Sequence, residues 1–180
     1  MRGDPFARDP AWQPAAYSCE PMAKTGDTFT LSPKERLTIT SSAADSGGEL
    51  LAMEAQYAPG GSPPPEHYHP TQEERFTGVS GTVTARIGGV ERRIGPGEMV
   101  TIPAGTKHAF WNPGTEPATI NWEVRPALST ERMFEELSKA GSTFKQAMVI
   151  SRYKREFRLS NAPQRMLLDA VAPIARLLAL

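Results

Sequence analysis

Residues 61–81 read GSPPPEHYHPTQEERFTGVSG. This stretch holds two of the three histidines, His67 and His69, which stand two residues apart. Side chains at positions i and i+2 of a strand point to the same face, so the two imidazoles would project side by side. The strand pattern resumes after a bend at Pro70, and Glu74 brings a carboxylate to the same point if it faces inward.

The third histidine, His108, lies 39 residues after His69, at the head of another predicted strand. Three imidazoles and one carboxylate that converge inside a barrel form a good site for a divalent transition metal. Imidazole suits Zn, Cu, Fe and Ni, whereas Mg and Ca prefer oxygen ligands. A single strand histidine is usually a surface residue or a satisfied core residue, so the histidines alone leave that alternative open.

The chain between residues 28 and 126 reads as a succession of short β-strands separated by turn residues. Gly88 and Gly89 separate two alternating runs by two residues, which predicts a tight hairpin. About eight short strands at this spacing predict an antiparallel barrel or a double-sheet sandwich. The predicted strands are residues 37–40, 50–57, 74–79, 82–87, 90–94, 99–102, 108–111 and 119–124.

After Ser129 the period of the apolar residues changes to that of helices. Ser129 is the predicted N-cap of a first helix, and Gly141 is its predicted stop. A second helix is predicted from Phe144 to about Leu159. A third begins near Pro163 and is apolar around most of its circumference. This third helix must therefore dock on the barrel, on a dimer partner or, weakly, on a membrane surface.

These changes of pattern divide the chain into three segments: an irregular N-terminal arm (residues 1–27), a β-barrel (28–128) and a helical extension (129–180). Residues 1–130 hold 11 basic and 15 acidic residues, whereas residues 131–180 hold nine basic and five acidic ones. An acidic barrel and a basic extension thus cancel to a formal net charge of zero. A length of 180 residues suits one domain with its own hydrophobic core.

Two long gapped patterns connect the chain with a known family. Residues 61–81 fit G-x5-H-x-H-x4-E-x6-G, and residues 97–112, GEMVTIPAGTKHAFWN, fit G-x5-P-x-G-x2-H-x3-N at every position. These stretches resemble the two motifs of small, single-domain, metal-binding cupins, and the resemblance covers residues 37–126. It implies a mostly β fold, a double-stranded β-helix (jelly-roll) barrel with the metal in its mouth. The metal ligands that it implies are His67, His69, Glu74 and His108.

Two adjacent glutamates could supply the carboxylate, because Glu73 would fit a shorter spacing variant of the first motif. Six residues separate Glu74 from Gly81, and Glu74 shares a strand face with Phe76, an expected inward residue. We therefore assign Glu74 as the ligand and Glu73 either as a solvated neighbour or as a residue that contacts one of the ligands. Asn112 is interpreted as a turn residue at the end of its strand.

Strand alternation also selects residues for the wall of a substrate pocket. Phe110 shares the face of His108, and Phe76 shares that of Glu74. Tyr57 and Trp122 are further candidates, although each would serve equally as an ordinary core residue. No second acidic or basic side chain can be placed well enough to name a general base.

Four protein ligands on a metal that accepts six leave two positions for water, dioxygen or a chelating substrate. The resemblance implies a reaction on a small organic molecule bound in the barrel mouth. Fe, Mn or Ni is expected as the metal, with Zn or Cu as alternatives. The first hypothesis is a mononuclear-metal oxygenase of the dioxygenase type. The second is a non-redox isomerase or lyase, and the third is a non-catalytic small-molecule-binding protein.

Composition and charge argue against several other classes. Zero net charge does not favour a nucleic-acid-binding protein, and the basic stretch 145–158 lacks a clear helix–turn–helix pattern. No stretch approaches the roughly 20 apolar residues of a membrane span, and the N-terminus has no secretory signal. Cys19 is the one cysteine, which excludes an intramolecular disulfide. We therefore expect a cytoplasmic protein that forms a homodimer.

Overall fold

The computed structural model describes residues 23–163 together with Met166 and Ala170. Within these residues the chain forms eleven β-strands, two α-helices and one short 3₁₀ turn. The strands are β1 (Thr28–Ser32), β2 (Glu35–Ser41), β3 (Leu51–Tyr57), β4 (His67–Tyr68), β5 (Glu73–Ser80), β6 (Val83–Ile87), β7 (Val90–Ile94), β8 (Met99–Ile102), β9 (His108–Trp111), β10 (Ala118–Arg125) and β11 (Arg158–Leu159). The helices are α1 (Thr130–Lys139) and α2 (Thr143–Arg152).

The strands form two antiparallel sheets. The first has six strands in the order β1-β2-β3-β10-β5-β8, and the second has five in the order β11-β4-β9-β6-β7. The eight strands predicted from the sequence are all present, with bounds within two residues of those predicted. The predicted fold class is confirmed: the protein is mostly β, with jelly-roll-type sheets followed by α-helices.

One hydrophobic cluster takes its residues from both sheets. Along β3, side chains are alternately buried and less buried, so Leu51, Met53 and Ala55 point into this core. The rings of Phe76 on β5 and Phe110 on β9 stack with centroids 4.1 Å apart. Because these two strands belong to different sheets, the stacked pair joins the sheets directly.

The predicted tight hairpin at Gly88 and Gly89 is present. Ile87 of β6 pairs with Val90 of β7, so the two glycines form the whole connection. Both have positive φ, 58° and 85°, in the left-handed region that a two-residue hairpin requires.

The second helix is shorter than predicted. It ends at Arg152 and not near Leu159, and the chain then turns and forms β11. In β11, Arg158 pairs with Tyr68 and Leu159 pairs with His67. The edge of β4 offers unpaired backbone groups, and pairing with them outweighs the local helical pattern of the sequence.

Helix α1 is tied to the barrel by two buried polar side chains. Glu131 is 3% exposed and accepts the backbone N–H of Ala43 at 2.9 Å. The side-chain amide of Gln72 lies within hydrogen-bond distance of the Pro126 and Ala127 carbonyls and of the Thr130 hydroxyl.

The two helices are also bonded to each other. Arg152 and the Tyr153 hydroxyl both donate hydrogen bonds to the Glu136 carboxylate of α1.

The N-terminal caps of the helices differ from the prediction. Ser129 precedes α1 as predicted, but its side chain makes no capping hydrogen bond. The side-chain cap is made instead by Ser142, which accepts the N–H of Lys145 at the start of α2.

Most of the predicted N-terminal arm (residues 1–27) and nearly all of the third helix predicted from Pro163 lie outside the described residues. Among the helices that the structure describes, none has the length and apolarity to cross a membrane.

The turn after β5 provides a stability prediction. Gly81 has a φ of 64°, and a Cβ added there would lie 2.3 Å from the Pro117 carbonyl oxygen. Gly88 has a similar φ of 58°, but a Cβ there would meet nothing within 4 Å. Gly88→Ala should therefore cost about 1 kcal/mol for its backbone conformation alone. Gly81→Ala should cost about 2–4 kcal/mol, because the steric clash adds to that term.

Urea unfolding, followed by tryptophan fluorescence, measures both free energies. Equal losses in the two variants would contradict the close packing of the Gly81 turn.

Candidate metal centre and its cavity

The structure brings the three histidines together. His67 lies on β4 and pairs with His108 at the head of β9, and His69 follows β4 directly. The ring centroids of His67 lie 4.4 Å from His108 and 5.1 Å from His69, and the third distance, His69 to His108, is 5.2 Å. Each imidazole offers a ring nitrogen, and these nitrogens all lie within 4.8 Å of one another.

Glu74 reaches the same point from the other sheet. One carboxylate oxygen, Oε1, lies 3.1 Å from Nε2 of His69, and Oε2 lies 2.8 Å from Nε2 of His108. The indole N–H of Trp122 donates to Oε1 at 3.0 Å. The neighbouring Glu73 is exposed. It is therefore Glu74, and not Glu73, that faces the histidines, as the alternation of β5 predicted.

Backbone carbonyls fix the orientation of two of the imidazoles. Nδ1 of His108 bonds the Thr106 carbonyl at 2.9 Å, and Nδ1 of His69 bonds the Glu156 carbonyl. Because a carbonyl oxygen can only accept, each Nδ1 carries a proton. In the neutral ring, Nε2 then directs a lone pair at the Glu74 carboxylate. A lone pair and a carboxylate at these distances repel unless a proton or a metal cation lies between them.

The electrostatics of the cluster reflect this constraint. Burial alone would raise the pKa of Glu74, but the attraction of His69 and the contact with His108 hold it well below its usual range. Burial would lower the pKa of His69, and the Glu74 carboxylate overcomes this effect and raises it. The pKa of His67 is lowered well below its usual value by burial and by the other two imidazoles. His67 is thus a neutral imidazole, the form that ligates metals.

Two atoms of the cluster point to a cation. Nε2 of His69 and Oε2 of Glu74 are buried without a well-directed hydrogen bond from the described residues. Buried polar atoms are rarely left in this state, and a bound ion is one explanation of it. A divalent transition metal would satisfy both atoms, and a donor set of three imidazoles and one carboxylate suits it. The residues present therefore fit a metal.

The C-terminal extension completes the surroundings of the histidines. Phe157, just before β11, stacks on the ring of His67 with centroids 4.5 Å apart and planes 19° apart. The Glu156 carbonyl that holds His69 belongs to the same turn. The sequence did not predict this contribution, because it assigned the stretch to a helix.

The imidazoles open into a cavity of about 440 Å³. The four residues predicted for a substrate pocket, Tyr57, Phe76, Phe110 and Trp122, all line it. The helical extension lines it too, which the sequence did not predict, through Met133, Phe134, Leu137, Thr143, Gln146, Ala147, Ile150, Phe157 and Leu159. The extension is therefore part of the cavity wall.

Sequence reasoning also missed Glu35, the only carboxylic acid among the described residues that line this cavity. Glu35 begins β2, where it pairs with Tyr57 of β3. Burial raises the pKa of Glu35 to about 7, and a hydrogen bond from Tyr57 opposes part of that rise. A signal was available, because Glu35 shares its strand face with the buried residues Leu37 and Ile39.

Comparison with known proteins supports the fold. The family described as cupin domain matches residues 53–123, from the middle of β3 into β10. These 71 of the 180 residues are therefore similar to a cupin domain. A cupin described as RmlC-like, from Shewanella frigidimarina, superposes with a TM-score of 0.50 at 14% identity, over 58% of this chain and 87% of that one.

Two curated relatives are similar to this chain in sequence. The tetracenomycin polyketide synthase protein TcmJ of Streptomyces glaucescens is 30% identical over 95 residues, which are 53% of this chain and 61% of TcmJ. The probable oxidoreductase yanE of Aspergillus niger is 40% identical over 67 residues, which are 36% of this chain and 26% of yanE. The chain thus spans less than two thirds of the length of either relative.

The contacts of Phe157 with His67 and His69 provide a prediction about metal affinity. Phe157→Ala removes the ring stacked on His67 and loosens the turn whose carbonyl holds His69. We expect Zn²⁺ affinity to fall about 10-fold or more, the scale seen when outer partners of metal ligands are removed. Phe144→Ala is the matched control, because that ring is 62% exposed.

A chromophoric chelator competing for Zn²⁺ measures both affinities. Equal affinity in the Phe157→Ala variant and the control would show that the extension does not support the metal ligands.

Proposed function

We propose that this protein is a mononuclear, divalent-metal-dependent enzyme that acts on a small organic molecule held in the cavity. The reaction we favour is oxygenation of the dioxygenase type. One observation carries the proposal: three imidazoles and a carboxylate, supplied by both sheets, converge at the wall of a cavity of about 440 Å³. The relationship to yanE, which is named a probable oxidoreductase, supports the redox reaction.

His67, His69, Glu74 and His108 would hold the metal, with Fe, Mn or Ni expected and Zn or Cu as alternatives. When bound, the metal would supply a Lewis acid and, if it is redox-active, a partner for dioxygen. The chain's own contribution is orientation. The Thr106 and Glu156 carbonyls fix two imidazoles, and the buried Glu74 carboxylate contributes negative charge without solvent competition.

The cavity wall indicates the class of substrate. The stacked rings of Phe76, Phe110 and Trp122 form one side, with centroids 4.1 Å and 5.3 Å from that of Phe76. Such a surface favours flat or apolar rings and excludes water, and a cavity of this size suits a small metabolite. We propose a largely apolar, ring-bearing substrate with an oxygen function near the histidines. The relationship to TcmJ, named for a polyketide synthase, supports a polyketide-like molecule.

A second reaction class has its own supporting observation. Glu35 places a carboxyl group with a pKa of about 7 in the same cavity, and such a group can take up and return protons near neutral pH. This favours a non-redox isomerase or lyase as the alternative to the oxygenase. The homodimer and the cytoplasmic location expected from the sequence stay predictions.

The metal can be tested with a pair of adjacent glutamates. Glu74→Gln removes the charge that faces the histidines, whereas Glu73→Gln changes an exposed side chain. We expect the purified wild type and Glu73→Gln to hold close to one metal ion per chain. Glu74→Gln should hold much less, and a His67→Ala/His108→Ala double variant should hold none.

Elemental analysis measures the metal, and circular dichroism confirms that each variant is folded. Equal metal content in the wild type and the double variant would rule out this site.

The reaction class is tested by oxygen dependence. Wild type loaded with Fe, Mn or Ni should consume dioxygen when it turns over a member of a panel of ring-bearing metabolites. An isomerase or lyase would convert the same compound equally fast without oxygen. Oxygen-electrode traces, paired with product analysis in anaerobic vials, separate the two classes. Turnover at the same rate without oxygen would contradict the oxygenase.

A further inference from the structure

Glu35 and Tyr57 occupy a boundary position in the barrel. They pair across β2 and β3, and both line the cavity that contains the histidines. Both also line a second depression of about 430 Å³, formed mainly by residues 32–36 and 117–119, which we call the outer cleft. The pair is therefore shared between the metal-site cavity and the outer cleft.

We propose that Glu35 is the acid–base residue of the cavity, that Tyr57 positions it, and that Glu35 exchanges protons between the substrate and solvent. The inference rests on the proposed function in one respect, which is that the substrate binds in this cavity. It does not depend on which metal is bound or on whether dioxygen is used.

The surroundings of Glu35 suit proton transfer. Tyr57 is 6% exposed and donates its hydroxyl proton to the carboxyl group. Burial and the neighbouring Glu35 charge raise the pKa of Tyr57 well above its usual value, so the phenol keeps its proton and acts only as a donor. An oriented carboxyl group that titrates near pH 7 is populated in both forms at neutral pH.

The other ionisable groups at the cavity have different tasks. The three histidines are the proposed metal ligands, and the Glu74 carboxylate is committed to two of them. Among the described cavity residues, this leaves Glu35 as the one acid with its proton free to exchange.

The proposed step is a simple proton transfer. The Glu35 carboxylate takes a proton from a carbon next to a carbonyl group of the substrate. The electron pair of the C–H bond moves into the resulting enolate, and Glu35 becomes a neutral carboxylic acid. The proton then returns to the substrate or leaves to water through the outer cleft. No oxidant or reductant is needed, because no electrons leave the substrate.

The test uses 2-tetralone, an apolar bicyclic ketone, as a probe in D₂O. Proton NMR follows the replacement of its α-protons by deuterium in the presence of the metal-loaded protein. We expect the wild type to accelerate exchange above buffer, and Glu35→Gln to lose at least about 100-fold of that acceleration. Glu54→Gln, a change on the partly exposed face of β3, is the matched control and should exchange like the wild type.

The pH profile separates a base from a merely structural residue. Exchange should rise with pH through a midpoint near 7, because the carboxylate is the active form. Tyr57→Phe removes a hydrogen bond that lowers the pKa of Glu35, so its midpoint should move to higher pH. The ionisable groups around Glu35 are Tyr57, which bonds it, Glu74, whose charge acts on Tyr57, and the three histidines that line the same cavity. The pH profile of exchange in Glu35→Gln separates the contribution of Glu35 from theirs, because all of these other groups are unchanged in that variant.

Exchange at the buffer rate in the wild type, or equal exchange in wild type and Glu35→Gln, would overturn the inference. The proposed function fails in a different way. A wild type that holds no metal but exchanges 2-tetralone through Glu35 would overturn the metal-dependent function and leave this inference standing. A wild type with full metal content whose exchange does not depend on Glu35 would overturn this inference and leave the metal-dependent function standing.

Discussion

The contact between the Glu74 carboxylate and the two imidazoles of His69 and His108 is the constraint on which the structure depends. A buried carboxylate is costly unless charged or polar partners surround it, and this one is met at 3.1 Å and 2.8 Å by imidazoles and at 3.0 Å by Trp122. Glu74 belongs to the six-stranded sheet and His108 to the five-stranded one. The requirement to pair this charge therefore fixes how the sheets meet. It also fixes the register of β5, because a slip of one residue would turn Glu74 outward.

The same requirement extends to the C-terminal part of the chain. His69 faces Glu74 with Nε2 while its Nδ1 is held by the Glu156 carbonyl, which comes after the helices. The chain then continues through Phe157, which covers His67, into β11, which pairs with β4. The extension is therefore coupled to the histidines through backbone and ring contacts and is not merely an attachment to the barrel. Its helices close the cavity as a consequence of this path.

The features that the sequence predicted depend on residues close together in the chain, and those that it missed depend on contacts between distant residues. Period-two strands and a Gly-Gly hairpin are local patterns, and the structure reproduces them. The inward choice of Glu74 over Glu73 is local too, because alternation along β5 decides it. The pairing of β11 with β4 joins residues about 90 positions apart in the sequence. Each of these strands is only two residues long, so the sequence carries no periodic pattern that would predict the pairing. A helical pattern therefore predicted α2 as far as Leu159, and tertiary pairing ended it at Arg152. Glu35 was missed because β2 begins two residues before the apolar run that identified it.

Two glutamates near one cavity illustrate how environment separates chemical roles. Glu74 lies among imidazoles, and their attraction outweighs burial, so its pKa falls and it stays ionised. Glu35 is half-buried with a phenol as its hydrogen-bond donor, so desolvation dominates and its pKa rises to about 7. Titratable groups whose surroundings separate their pKa values in this way are the basis for assigning acid and base roles. A permanently charged carboxylate suits a cation, and one that titrates at neutral pH suits proton transfer. A fixed charge behind the histidines and an exchangeable proton in the cavity wall thus act on the same space, which is the combination that ionising a metal-bound carbon acid uses.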